Sequence, residues 1–198
     1  MKARTAVVVL LWPLLGLLSS CVEKEKRLSR IEREMSKQVL LTAPPKPQHP
    51  SGIKFDDKVT LLGYDLSGPQ IQEGKQFTVV WYWQVNETLG GGWKLFTHLA
   101  DATKTSRINI DGNRSLRKSY PESGWKKGDY IKDVQQITLP EDWNSPELIV
   151  YVGFWTGDKR MKVTGPQDDS NRAEALRLGV AEAGFTPPLP RLFARHVE

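Results

Sequence analysis

Four side chains in the central part of the chain combine a flat ring with a polar edge, a combination that suits sugar recognition. They are Tyr82, His98, Tyr151 and Trp155. The C–H faces of a pyranose stack on aromatic rings, whereas its hydroxyl groups need hydrogen-bond partners held in place. We take these four residues as candidate ligand-binding residues. The alternative is that both sides of the fold are covered and that the rings serve burial.

The segments that carry these rings alternate between apolar and polar residues, as strands do. In the segment 77–85, Tyr82 falls on the side opposite the large apolar residues. The same alternation puts His98, Tyr151 and Trp155 on the side of their segments that lacks the main aliphatic residues. The pattern therefore predicts a core side and a second side that carries the candidate residues.

Eight short runs rich in strand-forming residues are separated by turn signals containing Gly, Pro, Asn and Asp. They are 57–66, 76–85, 92–100, 105–110, 129–139, 147–155, 159–164 and 174–182. Short strands without a long helical pattern predict an all-β fold. We expect a two-sheet antiparallel β-sandwich of about eight strands, jelly-roll-like, with an open barrel as the alternative.

His98 and Asp111 are a pair that catalysis could use, but no nucleophile motif accompanies them. The patterns G-x-S-x-G, H-E-x-x-H and the P-loop are absent from the sequence. We predict no enzymatic activity, while a carboxylate pair for glycoside hydrolysis stays open. Aspartates in or near turns leave structural calcium open, but without EF-hand spacing we predict neither a cofactor nor a metal site. Those aspartates are Asp101, Asp111, Asp129, Asp133, Asp168 and Asp169.

The only cysteine, Cys21, closes a segment typical of protein export. Lys2 and Arg4 precede 13 apolar residues at 6–18. As a helix these would cover about 20 Å, short of the ~30 Å hydrocarbon core of a bilayer. A positive start, a short apolar stretch and small residues before a cleavage point predict a secretory signal peptide at 1–20.

The sequence LSSC (18–21) resembles the bacterial lipobox. This resemblance implies cleavage before Cys21 and acylation of the cysteine with palmitate-like chains, which would anchor the protein to a membrane. A free cysteine after an ordinary signal peptide is the alternative. Val22 stands where an Asp would imply retention in the inner membrane, so the resemblance favours the cell outer membrane if the organism is Gram-negative.

The segment 21–51 predicts a stalk between the anchor and the sandwich. Residues 22–41 mix both charges with apolar residues at helical spacing, which predicts a short helix. Residues 42–51 hold four prolines, which predict an extended spacer of about 30 Å. We predict the sandwich domain at 52–183 and a Pro-rich C-terminal arm at 184–198.

The net charge of +5 does not indicate a nucleic-acid-binding domain. The predicted sandwich holds 17 Lys and Arg against 18 Asp and Glu residues and lacks an overall basic character. Basic residues concentrate locally in 104–132, which we interpret as a solvated loop region. The alternative for this region is a contact surface for anionic lipid headgroups or acidic glycans.

Several short motifs are spread over the predicted sandwich: LLGYDL (61–66), FTHL (96–99), Asp111, the W-x-x-G of 125–128, Asp133, the LP of 139–140 and VGFWTGDKRMKVT (152–164). They resemble a β-sandwich module found in bacterial lipoproteins and at the C-terminus of some polytopic membrane glycosyltransferases. The resemblance spans roughly residues 53–182. It implies the sandwich fold and an envelope location, and only by analogy a carbohydrate-facing role, because the family has no established activity.

Together these features predict a lipid-anchored bacterial envelope lipoprotein with a non-catalytic, carbohydrate-binding-like module that binds envelope glycans. The alternative is a structural or accessory lipoprotein that contacts protein partners of an export or surface complex. A hydrolase is the third hypothesis. We expect the membrane, through the lipid anchor, and a glycan or envelope protein as partners, and no nucleic acid.

Overall fold

The structure, a computed structural model, describes residues 34, 37–67, 71–103, 107–113 and 116–181. The predicted signal peptide (1–20), Cys21 and the C-terminal arm (184–198) lie outside these residues, as does most of the predicted stalk helix. Within the described part of the chain, no helix is both long and apolar enough to cross a membrane.

The regular secondary structure of the described residues is almost all strand. The helical elements are single turns at Asp111–Asn113, Leu116–Ser119 and Glu122–Gly124. The strands are β1 (Leu40–Leu41), β2 (His49–Phe55), β3 (Val59–Ser67), β4 (Ile71–Gln72), β5 (Gln76–Val85), β6 (Lys94–Ala100), β7 (Arg107–Asn109), β8 (Tyr130–Thr138), β9 (Glu147–Thr156), β10 (Lys159–Arg160), β11 (Val163–Thr164) and β12 (Ala173–Ala181).

Two sheets make up the fold, and this confirms the predicted all-β sandwich over the open barrel. Sheet A has the strand order β1-β8-β5-β3-β2-β11. Sheet B has the order β4-β12-β9-β6-β7, and β10 pairs with the end of β9. Neighbouring strands are antiparallel except for the short parallel pair of β12 and β4.

The predicted count of about eight strands is wrong, because the described residues contain twelve. The run 159–164 divides into β10 and β11, and the short strands β1 and β4 and the seven-residue β2 were missed. Strand β2 contains Pro50 and Gly52, which signal a turn, yet it pairs with β3 through an irregular register. A side chain at Gly63 of β3 would prevent this, because its Cβ would lie 2.2 Å from the carbonyl oxygen of His49.

The core lies between the sheets, where the alternation of strand residues points the large apolar side chains inward. On β5 the inward residues are each at most 6% exposed. An aromatic cluster of Phe55, Trp83, Trp125 and Phe154 joins both sheets, with ring centroids 5.2 to 6.2 Å apart. Each such pair contributes about 0.5–1.5 kcal/mol beyond simple burial. The inner faces are therefore filled, and a binding site must use an outer face or a loop.

Candidate ligand-binding site on the outer face of sheet B

The four candidate residues do not share one face. Tyr82 lies on β5, on the outer side of sheet A, where its hydroxyl donates a hydrogen bond to Asp65 Oδ2 at 2.8 Å. His98, Tyr151 and Trp155 lie on β6 and β9, on the outer side of sheet B. The structure therefore brings three of the candidates together and separates Tyr82 from them.

Strand pairing sets the arrangement on the outer side of sheet B. His98 is the register partner of Tyr151, and Lys94 is the partner of Trp155. Between these two pairs, Phe96 stands opposite Gly153. A Cβ at Gly153 would lie 2.5 Å from Phe96 Cζ, so glycine leaves the space that the phenyl ring occupies.

Phe96 and His98 form the aromatic floor of a cleft. Their rings stack with centroids 4.7 Å apart and an angle of 23° between the planes. The guanidinium carbon of Arg160 lies 5.2 Å from the centroid of the Phe96 ring. Trp155, whose side chain is partly exposed, forms a wall beside this floor.

The cleft has a volume of about 340 Å³. One side is lined by Arg107, Asn109 and Asp111, from β7 and the turn that follows it. The other side is lined by Trp155 and by 157–160, which form the hairpin between β9 and β10. A concave site with an aromatic floor and polar rims is the usual form of a small-ligand site.

Asp111 holds the β7 side of the cleft in place. Its Oδ1 accepts the backbone N–H of Thr97 at 2.6 Å, and its Oδ2 accepts an amide N–H of Asn109 at 3.1 Å. In return Asn109 Oδ1 accepts the backbone N–H of Asp111 at 2.9 Å. The carboxylate is buried, with 8% of the residue exposed, and its role is to fix this wall.

The imidazole of His98 is buried beneath the cleft, with 6% of the residue exposed. The pKa of His98 is lowered to about 4, mainly by burial; Asp111 opposes this shift, and Arg107, Arg172 and Arg160 add to it. The ring is therefore neutral at pH 7. Its Nδ1 has no hydrogen-bond partner among the described residues.

Tyr151 is fully buried beside His98, its register partner, and does not line the cleft. The guanidinium carbon of Arg172 lies 4.5 Å from the centroid of its ring. Asp168 holds that guanidinium through contacts of 2.6 and 2.7 Å to Nη2 and Nε. Burial alone would raise the pKa of Asp168, but hydrogen bonds from Arg172 and from the backbone of Ser170 keep it below its ordinary value.

Four cationic side chains surround the cleft. Arg107, Lys159 and Arg160 line it, and Lys94 Nζ lies 5.2 Å from the centroid of the Trp155 ring. Within the described part of the chain, none of the four forms an ion pair with a carboxylate. Among all the described residues, the cleft included, no group of three or more His, Cys, Asp or Glu residues is arranged to hold a metal ion.

Of the candidate residues, His98 and Trp155 line the cleft, Tyr151 is buried beside His98 without lining the cleft, and Tyr82 lies on the other sheet. The cleft is completed by four residues that were not among the predicted binding residues: Phe96, Arg107, Asn109 and Arg160. Alternation places Phe96, two residues before His98, on the same side of β6, although it was not chosen as a ligand-binding candidate. The others reach the cleft only through the pairing of β6 with β7 and with β9, which no local pattern shows.

Comparisons with known proteins leave the chain without an assigned family. No protein-family model matches the sequence, and a comparison with curated proteins finds no match. Among solved structures, the chain is similar to the crystal structure of the C-terminal domain of Wzt, with 14% sequence identity and a TM-score of 0.43. The alignment covers 72% of this chain and 84% of that one. A similarity at this level says nothing about function.

Proposed function

We propose that this protein is a lipid-anchored, non-catalytic β-sandwich protein that binds a glycan in the cleft on sheet B. The observation that carries the proposal is the cleft itself, which places an aromatic floor and wall beside planar hydrogen-bonding groups. Trp155 offers an indole to the C–H face of a sugar ring. The amide of Asn109 and the guanidinium groups of Arg107 and Arg160 can bind hydroxyl groups around it.

The acidic residues of the cleft favour binding over hydrolysis. Glycoside hydrolysis generally uses two carboxylates, one as an acid and the other as a base or nucleophile. Asp111 is engaged by the backbone of Thr97 and the amide of Asn109. Asp158, on the exposed hairpin, is the other carboxylate that lines the cleft. This arrangement supports a non-catalytic role.

Trp155→Ala tests glycan binding, with Tyr82→Ala as the matched control on the opposite face. We expect Trp155→Ala to weaken the Kd for a glycan identified on an array about tenfold or more, or ~1.4 kcal/mol, while Tyr82→Ala leaves it unchanged. Isothermal titration calorimetry measures both, and circular dichroism verifies that the variants fold. Loss of binding in Tyr82→Ala alone, or the absence of any glycan that binds, would contradict the proposal. If no glycan binds and the protein co-purifies with a defined envelope complex, the alternative of an accessory lipoprotein that contacts protein partners would be favoured.

The membrane anchor is tested separately at Cys21. Replacement by Ala removes the thiol that acylation requires, so we expect Cys21→Ala to leave the membrane fraction and the native protein to stay in it. Mass spectrometry of the mature native protein should show an acylated N-terminal cysteine and loss of residues 1–20. Equal partition of both proteins into membranes, or an unmodified thiol, would disprove the anchor without bearing on the cleft.

A further inference from the structure

The cations around the cleft differ from the other arginines on the same outer face. Arg177 contacts Glu147 at 2.7 Å and Glu174 at 2.8 Å, and Arg172 contacts Asp168 at 2.6 Å. The four cleft cations have no such partner within the described residues, although they crowd around one small site. Placing like charges together costs free energy unless an anion joins them.

One of these cations, the exposed Arg160, lies over the aromatic floor of the cleft. Arg160 lies over the Phe96 ring and donates a hydrogen bond from Nη1 to the carbonyl oxygen of Ser170 at 2.6 Å. This bond uses one of the five N–H groups of the guanidinium and leaves the others available. A guanidinium fixed in this way needs little further ordering to bind a carboxylate through two parallel hydrogen bonds.

The carboxylates that line the cleft offset part of this positive charge but form no ion pair with the four cations within the described residues. Asp111 already accepts hydrogen bonds from Thr97 and Asn109, and Asp158 forms no ion pair within the described residues. Burial is the main cause of the lowered pKa of His98; Asp111 opposes it, and Arg107, Arg172 and Arg160 add to it. Among the residues that line the cleft, three cations (Arg107, Lys159 and Arg160) outnumber two carboxylates. The cleft therefore combines an aromatic wall with an excess of positive charge.

We propose that the cleft selects an acidic saccharide, with the sugar ring against Trp155 and its carboxylate against Arg160. This inference rests on the proposed glycan-binding function and specifies its ligand class. The aromatic wall distinguishes a saccharide from a free anion, which would need only the cations. The remaining cations around the cleft attract the anionic ligand, and binding should therefore depend more strongly on ionic strength. They are Lys94, Arg107 and Lys159.

The test uses an array of bacterial surface polysaccharides, each printed both in its native form and after reduction of its uronic acid carboxylates to alcohols. The purified full-length protein should bind uronic-acid-containing polysaccharides, and carboxyl reduction should weaken binding roughly tenfold or more. Binding to the native forms should also weaken as NaCl rises from about 50 to about 500 mM. Polysaccharides whose only charge is phosphate serve as the comparison for anion type.

The variants Arg160→Gln and Arg107→Gln test the cleft directly, and Lys75→Gln is the control. Lys75 directly precedes β5, a strand of sheet A. Its substitution therefore removes one positive charge, as the cleft variants do, but at a site away from the cleft. We expect about tenfold weaker binding to a native acidic polysaccharide for Arg160→Gln, a smaller loss for Arg107→Gln, and none for Lys75→Gln. Thermal melts verify that all variants fold.

The outcomes distinguish a failure of the acidic selectivity from a failure of glycan binding itself. Equal binding of native and carboxyl-reduced forms would overturn the acidic selectivity while leaving glycan binding intact. Equal binding of phosphate-bearing polysaccharides would overturn the preference for a carboxylate. Binding that Arg160→Gln and Lys75→Gln weaken alike would show general charge attraction outside the cleft. Failure to bind any polysaccharide would overturn both proposals.

Discussion

The buried imidazole of His98 should make the stability of the fold depend on pH in a defined window. In the unfolded chain a histidine takes up a proton near pH 6.5, whereas burial lowers the pKa of His98 in the fold to about 4. Between these values the unfolded state binds more protons than the folded state. The free energy of unfolding therefore falls as the pH is lowered from about 7 towards 4, and it is insensitive to this group above that window.

The size of this loss of stability follows from the lowered pKa of His98. Each pKa unit is worth ~1.4 kcal/mol, so His98 should lower the free energy of unfolding by about 2 kcal/mol at pH 5 and about 3 kcal/mol at pH 4. The residue is only 6% exposed, so solvent does little to screen the charge that protonation would create. A loss of this size is a large fraction of the 5–15 kcal/mol by which proteins are typically stable.

Urea unfolding followed by tryptophan fluorescence at pH 7, 5 and 4 measures this dependence. The comparison is with His98→Gln, which removes the titrating group and keeps a polar side chain. Carboxylates such as Asp168 titrate in both proteins, so the difference between the two pH profiles isolates the imidazole. We expect the native protein to lose about 2 kcal/mol more than the variant between pH 7 and 5.

Two results would refute this reasoning. The first is a parallel loss of stability in the native protein and in His98→Gln between pH 7 and 4. The second is an NMR titration in which the His98 ring of the folded protein protonates near its ordinary pKa. Either result would mean that the ring is more hydrated than its 6% exposure indicates.

Two further variants test the support of the cleft. Gly153→Ala should lower the free energy of unfolding by about 2 kcal/mol, because the new Cβ would lie 2.5 Å from Phe96 Cζ. The penalty should largely disappear in the Phe96→Ala background, so strictly additive losses in urea unfolding would contradict the contact. Asp168→Asn should cost about 3 kcal/mol by leaving the buried Arg172 without its carboxylate. The exposed control Asp158→Asn should stay within about 0.5 kcal/mol, and similar losses in both would contradict a role for the buried pair.

Local alternation was enough to predict which residues point into the core. In β5, every second residue from Phe77 to Val85 is buried, as the pattern predicted. This works because the two-residue period of a strand is a property of the backbone and does not depend on distant partners. The all-β class followed from the same local pattern.

Alternation could not predict which sheet a strand joins. Tyr82 and Tyr151 both occupy outward positions, and alternation therefore grouped them. They nevertheless lie on opposite sides of the sandwich. Sheet membership depends on the pairing of β5 with β3 and β8 and of β9 with β6 and β12. These pairings join distant segments, and local sequence carries little information about them.

Strand β2 shows the opposite limit, where tertiary pairing overrides local preference. Its first three residues, His49 to Ser51, belong to the Pro-rich segment 42–51 that was predicted to be a spacer. The backbone instead runs beside β3, close to Gly63, and the side chain of His49 stacks on Tyr64 with ring centroids 4.8 Å apart. Contacts supplied by another strand thus decide the structure of a segment whose own propensity is weak.

The two outer faces differ in how their polar groups are satisfied, and this difference favours sheet B as the binding face. On sheet A, Asp65 accepts hydrogen bonds from the hydroxyl of Tyr82 at 2.8 Å and from the backbone N–H of Gln48 at 2.7 Å. On sheet B, Arg160 is fixed over Phe96 without a carboxylate partner among the described residues. The exposed guanidinium of Arg160 therefore has no ion pair within the described residues and can receive the carboxylate of the proposed ligand through charge-assisted hydrogen bonds.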